Sequence, residues 1–281
     1  MGDSLEAAIV SFTTGLLFVA VIALFRKDVR SGFRQIFSAV NLKLLPSWRL
    51  GAGALGASFV AMQTYAVPIA GVALFTVASL AGQTGISLWV DHVGLAGGSR
   101  VIITKRRVIA AIITILAVVV STWDRFTISN FSLLTIVLAV FSGTWVGVQR
   151  ALNAQINSYS KASFATSLLN FITGTTFLLF LLLLRTLFTD HSVMNFTSGP
   201  WWMFLGGSIG VIYIALSAHI VQYVGVLEFT LFSVGGMLIG SLLIDIIVPT
   251  KGTIISGFLI AGILLTYLGV IANGQSRFSR K

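Results

Sequence analysis

The sequence predicts an all-α integral membrane protein of about nine transmembrane helices, arranged as an inverted repeat of five-helix units with the leading helix missing. Three observations carry this reading. Of the 281 residues, 56% are hydrophobic and only 9% are charged, whereas an ordinary soluble domain carries about 25% charged residues. Apolar runs long enough to cross about 30 Å of hydrocarbon recur along the chain. The chain also matches itself at a fixed offset.

The runs fall at Leu5 to Phe25, Leu50 to Val67, Ile69 to Val90, Val108 to Trp123, Phe131 to Val148, Phe164 to Leu184, Trp201 to Val221, Gly225 to Val248 and Ile254 to Ile271. The second and third are continuous in hydropathy, but together they are too long for one crossing. Tyr65-Ala66-Val67-Pro68 offers the turn, with Pro68 suited to the first turn of the third helix. The seventh and eighth divide in the same way, with His219, Gln222, Tyr223 and Gly225 at the turn.

The net charge of +10 resides in short connectors and forms no nucleic-acid-binding pattern. With the N-terminus outside, 15 basic residues lie inside and only Arg125, Arg185 and Lys251 lie outside. That bias orients the chain and places the C-terminus in the cytoplasm. The acidic Met1 to Glu6 segment, with no small-residue cleavage site after the first apolar run, argues against a cleaved signal peptide. Glu6 stands where myristoylation would require Ser or Thr. The chain has no cysteine, hence no disulfide framework and no thiolate metal site.

At an offset of 154 residues, Trp48 to Leu95 matches Trp202 to Pro249 at 14 positions, among them Gly53/Gly207, Gly56/Gly210, Gly71/Gly225, Thr76/Thr230, Ser87/Ser241 and Asp91/Asp245. Ser11-Phe12-Thr13-Thr14-Gly15 answers Asn170-Phe171-Ile172-Thr173-Gly174, so the first helix pairs with the sixth. The repeats are therefore 1–128, with four helices, and 129–281, with five. Five helices per unit is an odd number, so the copies lie in opposite orientations, an arrangement associated with alternating access to a central site. The first repeat has no counterpart of the fifth helix, and a late start and a genuine nine-span protein both remain open.

Gly143-Thr144-Trp145-Val146-Gly147-Val148-Gln149-Arg150-Ala151-Leu152-Asn153-Ala154-Gln155, followed by Ser167-Leu168-Leu169-Asn170-Phe171-Ile172-Thr173-Gly174, resembles the opening of the YdcZ-like family of the drug/metabolite transporter superfamily. The stretch from Gly82-Gln83 through Ile86-Ser87-Leu88-Trp89-Val90-Asp91-His92-Val93-Gly94-Leu95 resembles that family's closing helix motif. Ser241-Leu242-Leu243-Ile244-Asp245 repeats it less well. The resemblance spans essentially the whole chain. It implies ten helices, a five-plus-five inverted repeat, and a multi-pass place in the bacterial inner membrane.

Trp145, Gln149 and Asn153 follow i, i+4, i+8 spacing and share one helix face. An amide pair beside an indole can hydrogen-bond and stack against a solute, and the same residues can equally serve as interhelical glue. Thr76, Ser79, Gln83 and Ser87 form a polar stripe on the third helix, echoed by Thr230, Ser233 and Ser241 on the eighth, with Met237 replacing the glutamine. Hydroxyls on such a stripe can bond their own helix carbonyls. Gln83 is least easily satisfied in that way. The substrate-binding candidates are therefore Trp145, Gln149, Asn153, Gln83, Ser79 and Ser233. Glu228, the one carboxylate clearly inside an expected span, is the candidate for proton coupling, although the first turn of a helix also favours an acid through the dipole. Asp91 and Asp245 end their helices, where the dipole disfavours an anion, so each calls for a basic or backbone partner.

No P-loop, histidine-rich metal motif or nucleophile elbow is present, so no enzyme and no cofactor is expected. The expected partners are the lipid bilayer and a small molecule, with no nucleic acid and with a homodimer left open. The functional expectation is a transporter of small organic solutes, export being the direction favoured by analogy. A non-transporting membrane partner or regulatory subunit is the alternative.

Overall fold

The computed structural model describes residues 4–70, 72–97, 100–121, 123, 133–188, 201–247 and 257–278. The expected outside cations Arg125 and Lys251 lie outside the described residues. Ten α-helices are found among those described: α1 (Ser4–Phe25), α2 (Lys27–Asn41), α3 (Ala52–Ala70), α4 (Val72–Val93), α5 (Lys105–Ser121), α6 (Leu133–Ser160), α7 (Ser163–Phe188), α8 (Leu205–Val224), α9 (Val226–Ile247) and α10 (Gly257–Phe278). Five segments, α1, Ser47–Ile69, α6, α7 and α8, are long and apolar enough to cross a bilayer, and α9 and α10 contain shorter apolar stretches. Leu17, Val21 and Leu24 on α1, and Ile109, Ile112 and Leu116 on α5, are exposed. In hydrocarbon that exposure carries no solvation cost, which is why an all-apolar helix is stable here.

Nine of the ten helices answer the expected spans, and α2 is the addition. Its charged residues lie in what hydropathy shows as a connector. Its apolar positions Val29, Gly32, Ile36 and Ala39 nevertheless recur at three- and four-residue spacing and are all buried, the pattern of a helix with one packed face. Gly32 permits the close approach, since a Cβ there would stand 2.7 Å from the Ser160 carbonyl oxygen and 2.8 Å from the Ala162 Cβ. At the start of α2, Arg26 hydrogen-bonds the Asp28 carboxyl and holds it below the usual carboxylate range. Both side chains are half exposed, so the pair adds little stability.

Three expected boundaries are corrected. Helix α3 continues through Tyr65, Ala66, Val67 and Pro68 to Ala70, with the proline inside it. Proline loses one hydrogen bond in such a position, and here it stands within the last turn. His219, Gln222 and Tyr223 belong to α8, and the break falls at Gly225, whose φ is +90°. Glycine adopts that conformation without a Cβ clash. Helix α6 runs 12 residues past Val148, the expected end of that span, and so contains Arg150 within the helix.

The chain forms two compact units, and each draws on both sequence repeats. One comprises Met1–Tyr65, Leu95–Gly98 and Val148–Tyr223; the other comprises Ala66–Gly94, Ser99–Gly147 and Val224–Lys281.

In the first unit α1 crosses α7 where two glycines meet two phenylalanines. A Cβ on Gly15 would overlap the Phe171 ring, and one on Gly174 would overlap the Phe12 ring. The two rings themselves lie 5.1 Å apart, within the range of a favourable aromatic pair. Gly53 of α3 lies on Asn170, Thr173 and Gly174 of α7, while Gly207 of α8 lies on Ser11, Thr14 and Gly15 of α1. Ser11, Phe12, Thr14 and Gly15 are the residues that the internal match pairs with Asn170, Phe171, Thr173 and Gly174. Each contact thus occurs twice with its partners exchanged between repeats.

In the second unit Gly262 and Gly269 of α10 lie on α5, where a Cβ would come 2.7 Å from the Ala117 carbonyl and 2.8 Å from the Thr114 hydroxyl. Helix α4 meets α6 through Gly82 against Val140, Gly143 against Ser79 and Gly147 against Ile86. Small residues bring backbones together where lipid supplies no hydrophobic drive between helices. Leu80, Val118 and Val234 fill the space between α4, α5 and α9.

Candidate functional site

In the first unit the helical spacing of α6 sets Gln149, Asn153 and Asn157 in a row facing α7. Gln149 Nε2 donates to Asn170 Oδ1 at 3.0 Å, and Asn170 Nδ2 donates to Asn153 Oδ1 at 2.7 Å. One turn on, Thr166 Oγ1 donates to Asn157 Oδ1 at 3.3 Å. All five side chains are buried. Gly56 makes room for the chain of amides, because a Cβ there would overlap the Gln149 amide. Two predicted site residues, Gln149 and Asn153, are therefore brought together, with Asn170 as the link between them. Asn170 stood in the motif that carries the family resemblance, but nothing in its spacing along α7 pointed across to α6.

Arg150 was also missed as a candidate. It is buried, and its Nη2 donates to the Tyr213 hydroxyl at 2.7 Å. Arg49, in the single 3-10 turn Ser47–Gly51 that precedes α3, donates to Gln155 Oε1. An arginine at the edge of an apolar run reads as a topology signal in sequence, and only the extended α6 shows Arg150 to be internal.

In the second unit Trp145 is half-buried, with its indole edge-on to Phe141 at 5.0 Å. On α4, Ser79 Oγ donates to the Thr76 carbonyl at 3.2 Å and Ser87 Oγ donates to the Gln83 carbonyl at 2.5 Å. Ser87 also stands 3.2 Å from the hydroxyl of Thr230 on α9, and Thr230 donates to the Val226 carbonyl at 2.8 Å. The two hydroxyl stripes therefore meet at Ser87 and Thr230. Gln83 differs from its neighbours: it is 5% exposed, and its Oε1 has no partner among the described residues. Ser233 is half-buried one turn beyond Thr230, and Met237 is exposed. The Ser241 and Asp245 side chains lie outside the described residues.

The charged centre of this unit is Asp91. It ends α4, yet its carboxylate sits at the start of α9, where Oδ1 accepts the Val226 N–H at 2.8 Å and Oδ2 accepts the Leu227 N–H at 3.1 Å. Arg107 of α5 donates to the same Oδ2 at 2.5 Å, and both side chains are at most 5% exposed. Asp91 thus finds both a basic and a backbone partner. The unfavourable dipole of its own helix is offset by the favourable one of α9. A Cβ on Gly225 would lie 3.2 Å from Oδ2, so a side chain there would crowd the carboxylate. Glu228 is half-buried in the first turn of the same helix and is itself engaged. His219 lies on α8, edge-on to Tyr223 at 5.3 Å. No group of three or more His, Cys, Asp or Glu able to hold a metal occurs among the described residues.

A family model described as "Putative inner membrane exporter, YdcZ" matches residues 1–120 and 134–272. No curated protein matches the chain. A solved structure described only as "Crystal structure of protein" is similar with a TM-score of 0.68 and 16% identity, over 99% of this chain and 90% of that chain. At that identity the likeness is one of fold alone.

Proposed function

Because the chain belongs to the YdcZ family of inner membrane exporters, we propose that it carries small organic solutes outward across the membrane by alternating access of two inverted repeats, with its C-terminus in the cytoplasm. The observation that carries the mechanism is the doubled set of contacts at the α1/α7 crossing, where repeat-related residues exchange partners. Two packings built from equivalent parts can be close in energy, and a rocking mechanism needs two such states. An exporter family is not a class of enzymes, so no chemical step is derived.

Trp145, Gln149, Asn153, Gln83, Ser79 and Ser233 are the side chains proposed to meet the solute. Buried polar groups in apolar spans are costly and mark solute paths. Glu228 is the proposed site of proton exchange. The deciding experiment is flux of labelled solutes into liposomes containing the purified chain alone. Accumulation above empty liposomes supports transport. Absence of flux across a broad solute panel, with the protein folded, favours a non-transporting membrane partner.

A further inference from the structure

The amide of Gln83 holds a buried acceptor that no described residue satisfies. Gln83 is the twelfth residue of the 22-residue α4, about halfway along a helix that rises roughly 1.5 Å per residue. Its Oε1 is buried without a partner among the described residues. The hydroxyls nearest along the chain cannot serve it. Ser79, Thr84 and Ser87 give their single protons to the carbonyls of Thr76, Leu80 and Gln83, and Thr230 gives its own to Val226. A buried acceptor left unmade is expensive, so the site calls for a donor from outside the protein.

The surroundings restrict what that donor is attached to. Leu80, Val118 and Val234, with Val77 and Leu238, form the apolar cluster of this part of the unit. Among the described side chains no carboxylate stands ready for a cation, since Asp91 is held by Arg107 and two backbone N–H groups, and Glu228 is engaged. A charged amine would be desolvated here without a counter-ion. Resting on the transport reading above, we propose that Gln83 is the hydrogen-bond acceptor for an uncharged, largely apolar solute carrying a single N–H or O–H donor.

The test uses matched probes that differ only in the donor: indole against N-methylindole, and phenol against anisole. Each is titrated against the purified full-length protein, with the thermal shift as readout. Wild type is expected to bind the donor-bearing member of each pair about tenfold more tightly, the worth of one buried hydrogen bond. Gln83→Met should bind both members alike, and Gln83→Glu, which keeps an acceptor, should retain the preference. Equal binding within both pairs by wild type overturns the proposal, as does a preference that survives in Gln83→Met or one that runs toward the methylated members. Flux of the same probes separates the two readings. Preference without flux upholds Gln83 and counts against the transport reading, whereas flux without preference upholds transport and defeats Gln83.

Discussion

Removing the Asp91 carboxylate should be among the most damaging single changes to this protein, and removing its arginine as well should undo most of the damage. The Asp91→Leu variant leaves the Arg107 guanidinium buried without its counter-ion, and breaking a buried pair from one side costs about 3–5 kcal/mol. It also strips the Val226 and Leu227 N–H groups of their acceptor, a lost helix cap worth about 1 kcal/mol. The double variant Asp91→Leu/Arg107→Met buries no charge, so the cost of the unpaired guanidinium disappears and only about 1 kcal/mol of capping loss remains. Asp91→Asn should fall between, because its amide oxygen still accepts from α9 but does not neutralise Arg107. The assay is unfolding of the purified protein in detergent, read by intrinsic fluorescence and analysed as a double-mutant cycle. A double variant as unstable as Asp91→Leu, or a cost below about 1 kcal/mol for Asp91→Leu, would refute the account of this centre.

Gly53→Ala should destabilise by about 1–3 kcal/mol through overpacking against the Asn170 backbone, whereas Gly85→Ala, where an added Cβ meets nothing within 4 Å, should be neutral or stabilise by up to about 1 kcal/mol; the same unfolding assay reads both. Asn153→Ala and Gln83→Ala should each weaken ligand-induced thermal shifts without unfolding the protein, and unchanged shifts in both would remove these residues from the site. Single cysteines at positions 38 and 195, in a chain that has none, should react with an impermeant thiol reagent from opposite sides of the membrane; labelling of both from one side of intact cells would end the inverted topology. Glu228→Gln should lose the response of flux to an imposed pH gradient while still exchanging solute at zero gradient, and an equal response in both proteins would reduce Glu228 to a helix-start residue.

The expected spans and their turns show how differently two kinds of sequence signal perform. Of the residues expected at the turn between the seventh and eighth spans, Gly225 is the one at the break, and it adopts a conformation that favours glycine. Pro68 was the more familiar turn signal, yet it lies inside α3. Proline weakens a helix by one hydrogen bond, a loss that packing can outweigh, whereas a positive φ is a steric demand that few other residues meet. Helix α2 escaped notice because a span is recognised by total apolarity, while a helix packed along one face needs only a stripe of apolar residues.

Composition and the recurring apolar runs determined by themselves that this chain is a multi-pass helical membrane protein and where most of its helices lie. These properties follow from transfer into lipid and from helical periodicity, both of which are local along the chain. Only the tertiary structure decided that Asn170 links Gln149 to Asn153, that Arg150 is internal, that Asp91 caps a helix 135 residues away while held by Arg107, and that Gln83 Oε1 is buried without a partner among the described residues. A polar residue in an apolar helix must find a partner, and the sequence records that need. Which partner meets it depends on which helix faces stand within hydrogen-bonding reach, and that is set by the packing of the whole unit.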